Sequence, residues 1–288
     1  MKKDPIFIVG MHRSGVNFLG NLLSTMDELN VVHDEVLENM IHDVVLHKTK
    51  KHNIYIQNIY DEMYYRSKER LVHPCYPNFW RVLVLQKQFP MAKFIILVRD
   101  PYSSIQSMLN QAITKDLLYD ENWLKYDMNN SFLGLDPYFM KEEVFHNKVY
   151  EDFTLAEKCA LRWAVHARYA SIMIKDNPKA IIPINFDSLL KEKAGNKRFR
   201  TMRRLANYAQ LEKIPTIDDN LIDETVDDTR ENFTNEEKVQ LKQIILDYFL
   251  IRGNPDQTMF PIRHYFADQY KSTFDLSYTK PPYAFTGS

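Results

Sequence analysis

Glycine is scarce in this 288-residue chain, at seven residues, and cysteine scarcer still, at two. Cys75 and Cys159 form no CxxC pair and no zinc-ligand spacing. That excludes a disulfide scaffold and a thiolate zinc site, and two lone thiols fit a reducing compartment. No apolar run approaches the roughly 20 residues that a membrane-spanning helix needs. Met1-Lys2-Lys3 imitates the start of a secretory leader, but His12-Arg13 interrupts the apolar run Ile6-Phe7-Ile8-Val9 before a leader core can form. The sequence therefore reads as a soluble, cytoplasmic chain. Charge of one sign is missing too: Lys+Arg 37 against Asp+Glu 38 leaves a net charge of −1. This balance argues against coating nucleic acid or anionic membrane, and leaves room for a local basic pocket that takes a small anion. The nine histidines are scattered, and His42, His47 and His52 recur at a spacing that no helix face shares, so no metal site is expected.

What is present is ordinary globular composition, 45% hydrophobic and 26% charged, in a chain long enough to bury a sizeable core. We expect a single domain over residues 1–288. Residues 6–9 form a short, wholly apolar run, as does Phe94-Ile95-Ile96-Leu97-Val98. Ala180 to Phe186 is a third such run and Arg70 to Pro74 a shorter one. Runs of this kind are buried parallel strands when helical patterns alternate with them. After the first run, Phe18, Leu19, Leu22, Leu23 and Met26 fall at helical spacing; after the second, Ile105, Met108 and Leu109 do. The expected class is α/β, with a mainly parallel sheet flanked by helices. Ligands of such sheets sit at the carboxyl ends of the strands, and residues 10–17, 73–76 and 99–107 all begin at such ends. Residues 114–155, rich in Asn, Asp, Tyr and Phe, are a candidate lid. A helix near 235–250 carries a capping box, Thr234 with Glu237, and Gly253 just past its end. Residues 254–288, rich in proline and aromatics, are expected to wrap the surface.

Gly10-Met11-His12-Arg13-Ser14-Gly15 lies between the first strand and its helix. A glycine-bounded turn there aims backbone N–H groups at one point, and the helix N-terminus adds partial positive charge, which together make a cradle for phosphate or sulfate. The ATPase pattern GxxxxGK[ST] has the same glycine separation. Here, however, Val16 and Asn17 stand in place of its lysine and magnesium-binding hydroxyl, and the cation sits inside the loop at Arg13.

At these residues the chain resembles the sulfotransferases that use 3′-phosphoadenosine 5′-phosphosulfate (PAPS). Their first motif, close to [K/R]-S-G-T-[T/S] after a buried strand, is similar to Arg13-Ser14-Gly15. Their second, an Arg at a strand end with a Ser eight residues on, is similar to Val98-Arg99-Asp100-Pro101 followed by Ser107. Ile184-Asn185-Phe186-Asp187-Ser188-Leu189 is similar to their Y-E-D-L segment, with Phe186 in place of Tyr. The resemblance implies a P-loop-like architecture and transfer of a sulfuryl group from PAPS to a hydroxyl or amine of a small-molecule acceptor, with PAP as product. It implies that the backbone of Arg13, Ser14, Gly15, Val16, Asn17 and Phe18 holds the 5′-phosphosulfate. Arg13 would neutralise charge on the bridging oxygen, and Arg99 and Ser107 would hold the 3′-phosphate.

Two departures stand out. Val16 occupies the place of the usual Thr, and Leu71 that of a family lysine, with Lys68 and Arg70 the nearest cations. For the base that accepts the acceptor's proton, the resemblance offers two places. One is His73, about sixty residues past Arg13; the other is the acidic pair Asp34-Glu35, about twenty residues past it. An imidazole with the ordinary pKa near 6.5 suits the task at pH 7, whereas a carboxylate needs burial to raise its pKa. The rival readings are a phosphotransferase using ATP or GTP and a catalytically silent nucleotide-binding module.

Overall fold

The computed structural model describes residues 4–11, 13–47, 50–114, 152–190, 195–217 and 233–251. Five strands form one wholly parallel sheet: β1 (Ile6–Gly10), β2 (Leu29–Val31), β3 (Arg70–Pro74), β4 (Lys93–Val98) and β5 (Ile181–Asn185). Their spatial order is β2-β3-β1-β4-β5. The helices are α1 (Val16–Leu23), α2 (Glu35–His47), α3 (Lys50–Arg66), α4 (Val82–Gln88), α5 (Pro101–Thr114), α6 (Leu155–Asp176), α7 (Asp187–Leu190), α8 (Gly195–Ala209) and α9 (Asn235–Ile251), with a 3₁₀ turn at Tyr76–Arg81.

Residue alternation along the strands explains the layering. Phe7, Val9, Phe94, Ile96 and Val98 join one core with Leu37 and Ile41 of α2, Ile56 and Tyr60 of α3, and apolar residues of α4, α5, α6 and α9. Ile6, Ile8, Ile95, Leu97, Ile182 and Ile184 join the other, under α1 and α8. Both faces are covered, which is why the strands are apolar throughout and why runs such as Ile6–Val9 could be read without alternation. Among the elements not expected from the sequence, β2 and α6 carry notably weak patterns. The strand β2 has three residues, and α6 has 22 residues of low mean hydrophobic bias. The capping box before α9 is formed: Glu237 N donates to Thr234 Oγ1 at 3.2 Å and Thr234 N to Glu237 Oε2 at 2.8 Å.

β1 lies at the centre. The chain leaves it toward the β2 edge, and leaves β4 toward the β5 edge. The direction reverses between β1 and β4, so their carboxyl ends open a crevice where a ligand can sit. No helix among the described residues is long and apolar enough to cross a membrane. Most of the expected lid, residues 115–151, and the expected wrapping segment, 254–288, lie outside the described residues, as does Gly253.

Candidate functional site

The loop after β1 closes tightly because of its small residues. A Cβ at Gly10 would lie 2.3 Å from the Ser14 hydroxyl and 2.8 Å from the Leu97 carbonyl, so the loop can fold down on β4 only with glycine there. Met11 N donates to Leu97 O at 3.2 Å, and Ser14 N to Met11 O at 3.1 Å. Arg13 (φ 60°) and Gly15 (φ 89°) are both left-handed. These turns deliver the chain into α1 with no side chain capping the helix, so its first amides are directed outward with the positive end of the dipole behind them. The Ser14 hydroxyl is buried and has no partner in the described residues. An oxyanion held at this point would satisfy the amides.

Three of the expected binding residues meet here. Arg13 Nε donates to Ser107 Oγ at 2.9 Å, and Arg99 Nη1 donates to the Arg13 carbonyl at 3.1 Å. Arg99 is buried, its carbonyl accepts from Trp163 Nε1 at 3.1 Å, and its guanidinium lies 5.4 Å above the Phe186 ring. The same ring packs edge-on against Phe18, with centroids 5.4 Å apart, and a Cβ at Gly15 would lie 2.1 Å from it. Phe186 is thus the floor under both motifs. Its position in the Y-E-D-L-like segment was visible in the sequence, but the contact with Gly15 was not. Asp100 has the plainer role of capping α5, accepting from Ser103 N at 3.0 Å, while its own N–H donates to Asp187 Oδ2 at 2.9 Å.

The other end of the crevice lies at β3. Because Val31 pairs with Val72, and Val32 N donates to Val72 O at 2.9 Å, the segment entering α2 runs beside the end of β3. The two places weighed for a base are therefore neighbours: Asp34 is close enough to favour the charged form of His73. The structure corrects the expectation of an ordinary imidazole. His73 pairs with Phe7, faces the core under α3 and is buried, and burial lowers its pKa to about 3. Its Nδ1 lies 2.8 Å from the Tyr60 hydroxyl and 3.3 Å from Asn78 Nδ2. The burial that Asp34 or Glu35 would need to act as the base is not found. Both are exposed, and Asp34 caps α2 by accepting from Leu37 N at 2.9 Å. Glu38, one turn further, is half-buried, and burial followed by the charge of Glu35 raises its pKa.

Neither Lys68 nor Arg70 can replace the lysine missing at Leu71. Both belong to the amino end of β3, and Arg70 is buried, tied to the carbonyls of Asp4 and Ala209. Sequence reading also missed the polar cluster behind His73. Tyr60 fits the apolar spacing of α3 with Ile56, but no local signal announces that its hydroxyl meets a histidine on another element.

Among solved structures, the chain is similar to the mouse sulfotransferase SULT7A1 complexed with PAP, at 15% identity and a TM-score of 0.51 over 92% of this chain and 89% of that one. It is also similar to the sulfotransferase domain of the Synechococcus olefin synthase, at 16% identity and a TM-score of 0.46 over 97% of each chain. The sulfotransferase domain from the curacin biosynthetic pathway is 14% identical, at a TM-score of 0.48 over 98% of this chain and all of that one. No family model matches the chain, and no curated protein matches its sequence. The likeness to the mouse protein is one of architecture: the chain has the sulfotransferase fold.

Proposed function

We propose that this protein is a PAPS-dependent sulfotransferase acting on a hydroxyl or amine of a small-molecule acceptor. One observation carries the reading: Arg13, Arg99 and Ser107 converge over the glycine loop at the crevice, in a loop with no lysine after Gly15. The residues fit a donor bearing both a phosphosulfate and a 3′-phosphate. The uncapped amides of α1 suit the first, and Arg99 with Ser107 suits the second.

PAPS, when bound, supplies a sulfuryl group already activated by its bond to phosphate. The chain's own work is positioning and charge neutralisation, as in phosphoryl transfer. The backbone of Ser14, Gly15, Val16, Asn17 and Phe18 binds the anion, and Asn17 contributes an amide where Val16 lacks a hydroxyl. Arg13 would neutralise negative charge on the donor. Arg99 and Ser107 hold the 3′-phosphate, and a charge-assisted guanidinium contact makes that grip selective. The acceptor's proton passes to a carboxylate of the α2 entrance. Glu38 suits this better than Asp34 or Glu35, because partial burial raises its affinity for a proton. The buried thiols of Cys75 and Cys159 support a reducing, cytoplasmic setting.

Calorimetry of the purified chain with PAP, ATP and GTP, each with and without magnesium, tests the reading. Binding of PAP without magnesium, well ahead of ATP, is expected. ATP or GTP binding that requires magnesium, with PAP silent, would favour a phosphotransferase. PAP binding with no turnover across a broad acceptor panel would favour a silent binding module.

A further inference from the structure

Behind His73 runs a chain of buried polar groups whose directions can be read from elementary donor and acceptor rules. Arg81 is buried and can only donate. Its Nη2 reaches Asn53 Oδ1 at 2.8 Å and its Nη1 reaches Asn78 Oδ1 at 3.3 Å. The second contact fixes the Asn78 amide, since the atom facing a guanidinium must be the oxygen. The Asn78 NH₂ therefore points the other way, toward the Tyr60 hydroxyl oxygen and His73 Nδ1. The Tyr60 oxygen accepts from Asn78, so among the described residues its own proton has one place to go, His73 Nδ1 at 2.8 Å. If Nδ1 carried a hydrogen instead, it would face both an amide donor and a hydroxyl left without an acceptor, and a buried unsatisfied group costs about 1–3 kcal/mol. Nδ1 is the lone-pair nitrogen, and the hydrogen of the neutral ring sits on Nε2.

We propose that Asn53, Arg81, Asn78 and Tyr60 lock His73 in the Nε2–H tautomer, so that His73 is a fixed hydrogen-bond donor and not the proton acceptor. The proposal rests on the sulfuryl-transfer reading for its role, and on hydrogen-bond geometry alone for the tautomer. Nδ1, engaged by the Tyr60 hydroxyl and the Asn78 amide, then cannot take the acceptor's proton, and that step falls to a carboxylate of the α2 entrance. Tyr60, Asn78 and Arg81 are positioning residues. Asp34, His33 and Arg81 are the titratable and charged groups that act on the ring, and Asp34 is the one that favours its charged form.

The test is nitrogen-15 NMR of the full chain labelled at histidine, with the His73 signals identified by their loss in His73→Gln. The expected result is a protonated Nε2 and a lone-pair Nδ1, unchanged between pH 5 and 8; Tyr60→Phe should let the two tautomers mix. A hydrogen on Nδ1, a midpoint near the ordinary imidazole value, or a Tyr60→Phe spectrum identical to the parent would overturn the lock. Turnover supplies the second arm. A glutamine amide can stand in for Nε2–H but cannot take a proton, so His73→Gln should keep kcat within about tenfold, whereas loss of a general base removes roughly 10²–10⁴. A loss of that size with PAP still bound would make His73 the base. If no sulfuryl transfer is found at all, the NMR result still decides the tautomer, and the failure belongs to the functional reading.

Discussion

The two ends of the crevice are built by different means. The donor end, around Gly10, Arg13, Gly15, Arg99 and Ser107, is made of backbone turns and of side chains that follow the ends of two strands adjacent in the sheet. Each half of its pattern is local in sequence, because a buried strand, a loop and a helix follow one another within about twenty residues at β1 and again at β4. The acceptor end is made of side chains from α2, α3, β3 and the 3₁₀ turn that meet only in the folded chain. A residue there takes its chemistry from its neighbours. His73 would be an ordinary imidazole by itself, but among Phe7, Tyr60 and Asn78 it is neutral and directional.

The largest separation between the two ends should come from Arg13→Ala. We expect kcat to fall about 10²–10³-fold, the scale of one lost transition-state charge stabiliser. PAP affinity should fall less; equal losses in steady-state kinetics and calorimetry would mean uniform binding and remove the catalytic role.

Acid should weaken the acceptor side through its buried histidines. His73, and His166 of α6, which packs on Phe79 and Trp80 of the 3₁₀ turn, both have pKa values lowered to about 3, first by burial, against 6.5 for the free group. The unfolded chain therefore binds more protons between those values. The stability these rings contribute is present above pH 6.5 and is lost as pH falls toward 3. One unit below 6.5, each ring should cost about 1.4 kcal/mol. Glu38, whose raised pKa lets the folded chain hold a proton longer, opposes part of this loss. Denaturant unfolding at pH 7.5 and 5.5 would show it, and His73→Gln should remove about half of the difference. An unchanged pH slope in that variant would mean that His73 is not buried neutral.

A smaller effect is expected of Gly20→Ala in α1. A Cβ there would lie 2.6 Å from Pro74 Cγ and 2.8 Å from His33 Cε1, where α1 packs on the end of β3. Overpacking of this kind costs about 1–3 kcal/mol. It should disturb turnover through the acceptor end while PAP affinity stays within about threefold; a large loss of PAP binding would show that the two ends are mechanically one.

These differences set what could be read from the sequence. The parallel sheet was legible because each long strand is apolar on both faces. The donor loop was legible because glycine and arginine at fixed spacing have few other uses between a strand and a helix. β2 escaped because three residues carry no period. The state of His73 escaped because it depends on Tyr60, thirteen residues away, and on Arg81, which acts through Asn78. Glu38 carries no signal of its own in the sequence, and only the packing of α2 separates it from the exposed Asp34 and Glu35.

The grip of Arg99 on a 3′-phosphate is the most direct point to test. PAP and adenosine 5′-monophosphate differ only in that group, so calorimetry of the parent and Arg99→Ala with both ligands isolates it. The expected result is that Arg99→Ala weakens PAP by about 2–4 kcal/mol, the scale of a buried charged partner removed, and leaves the monophosphate nearly unchanged. PAP affinity within about twofold of the parent would contradict it, and would reduce Arg99 to the exit of a strand.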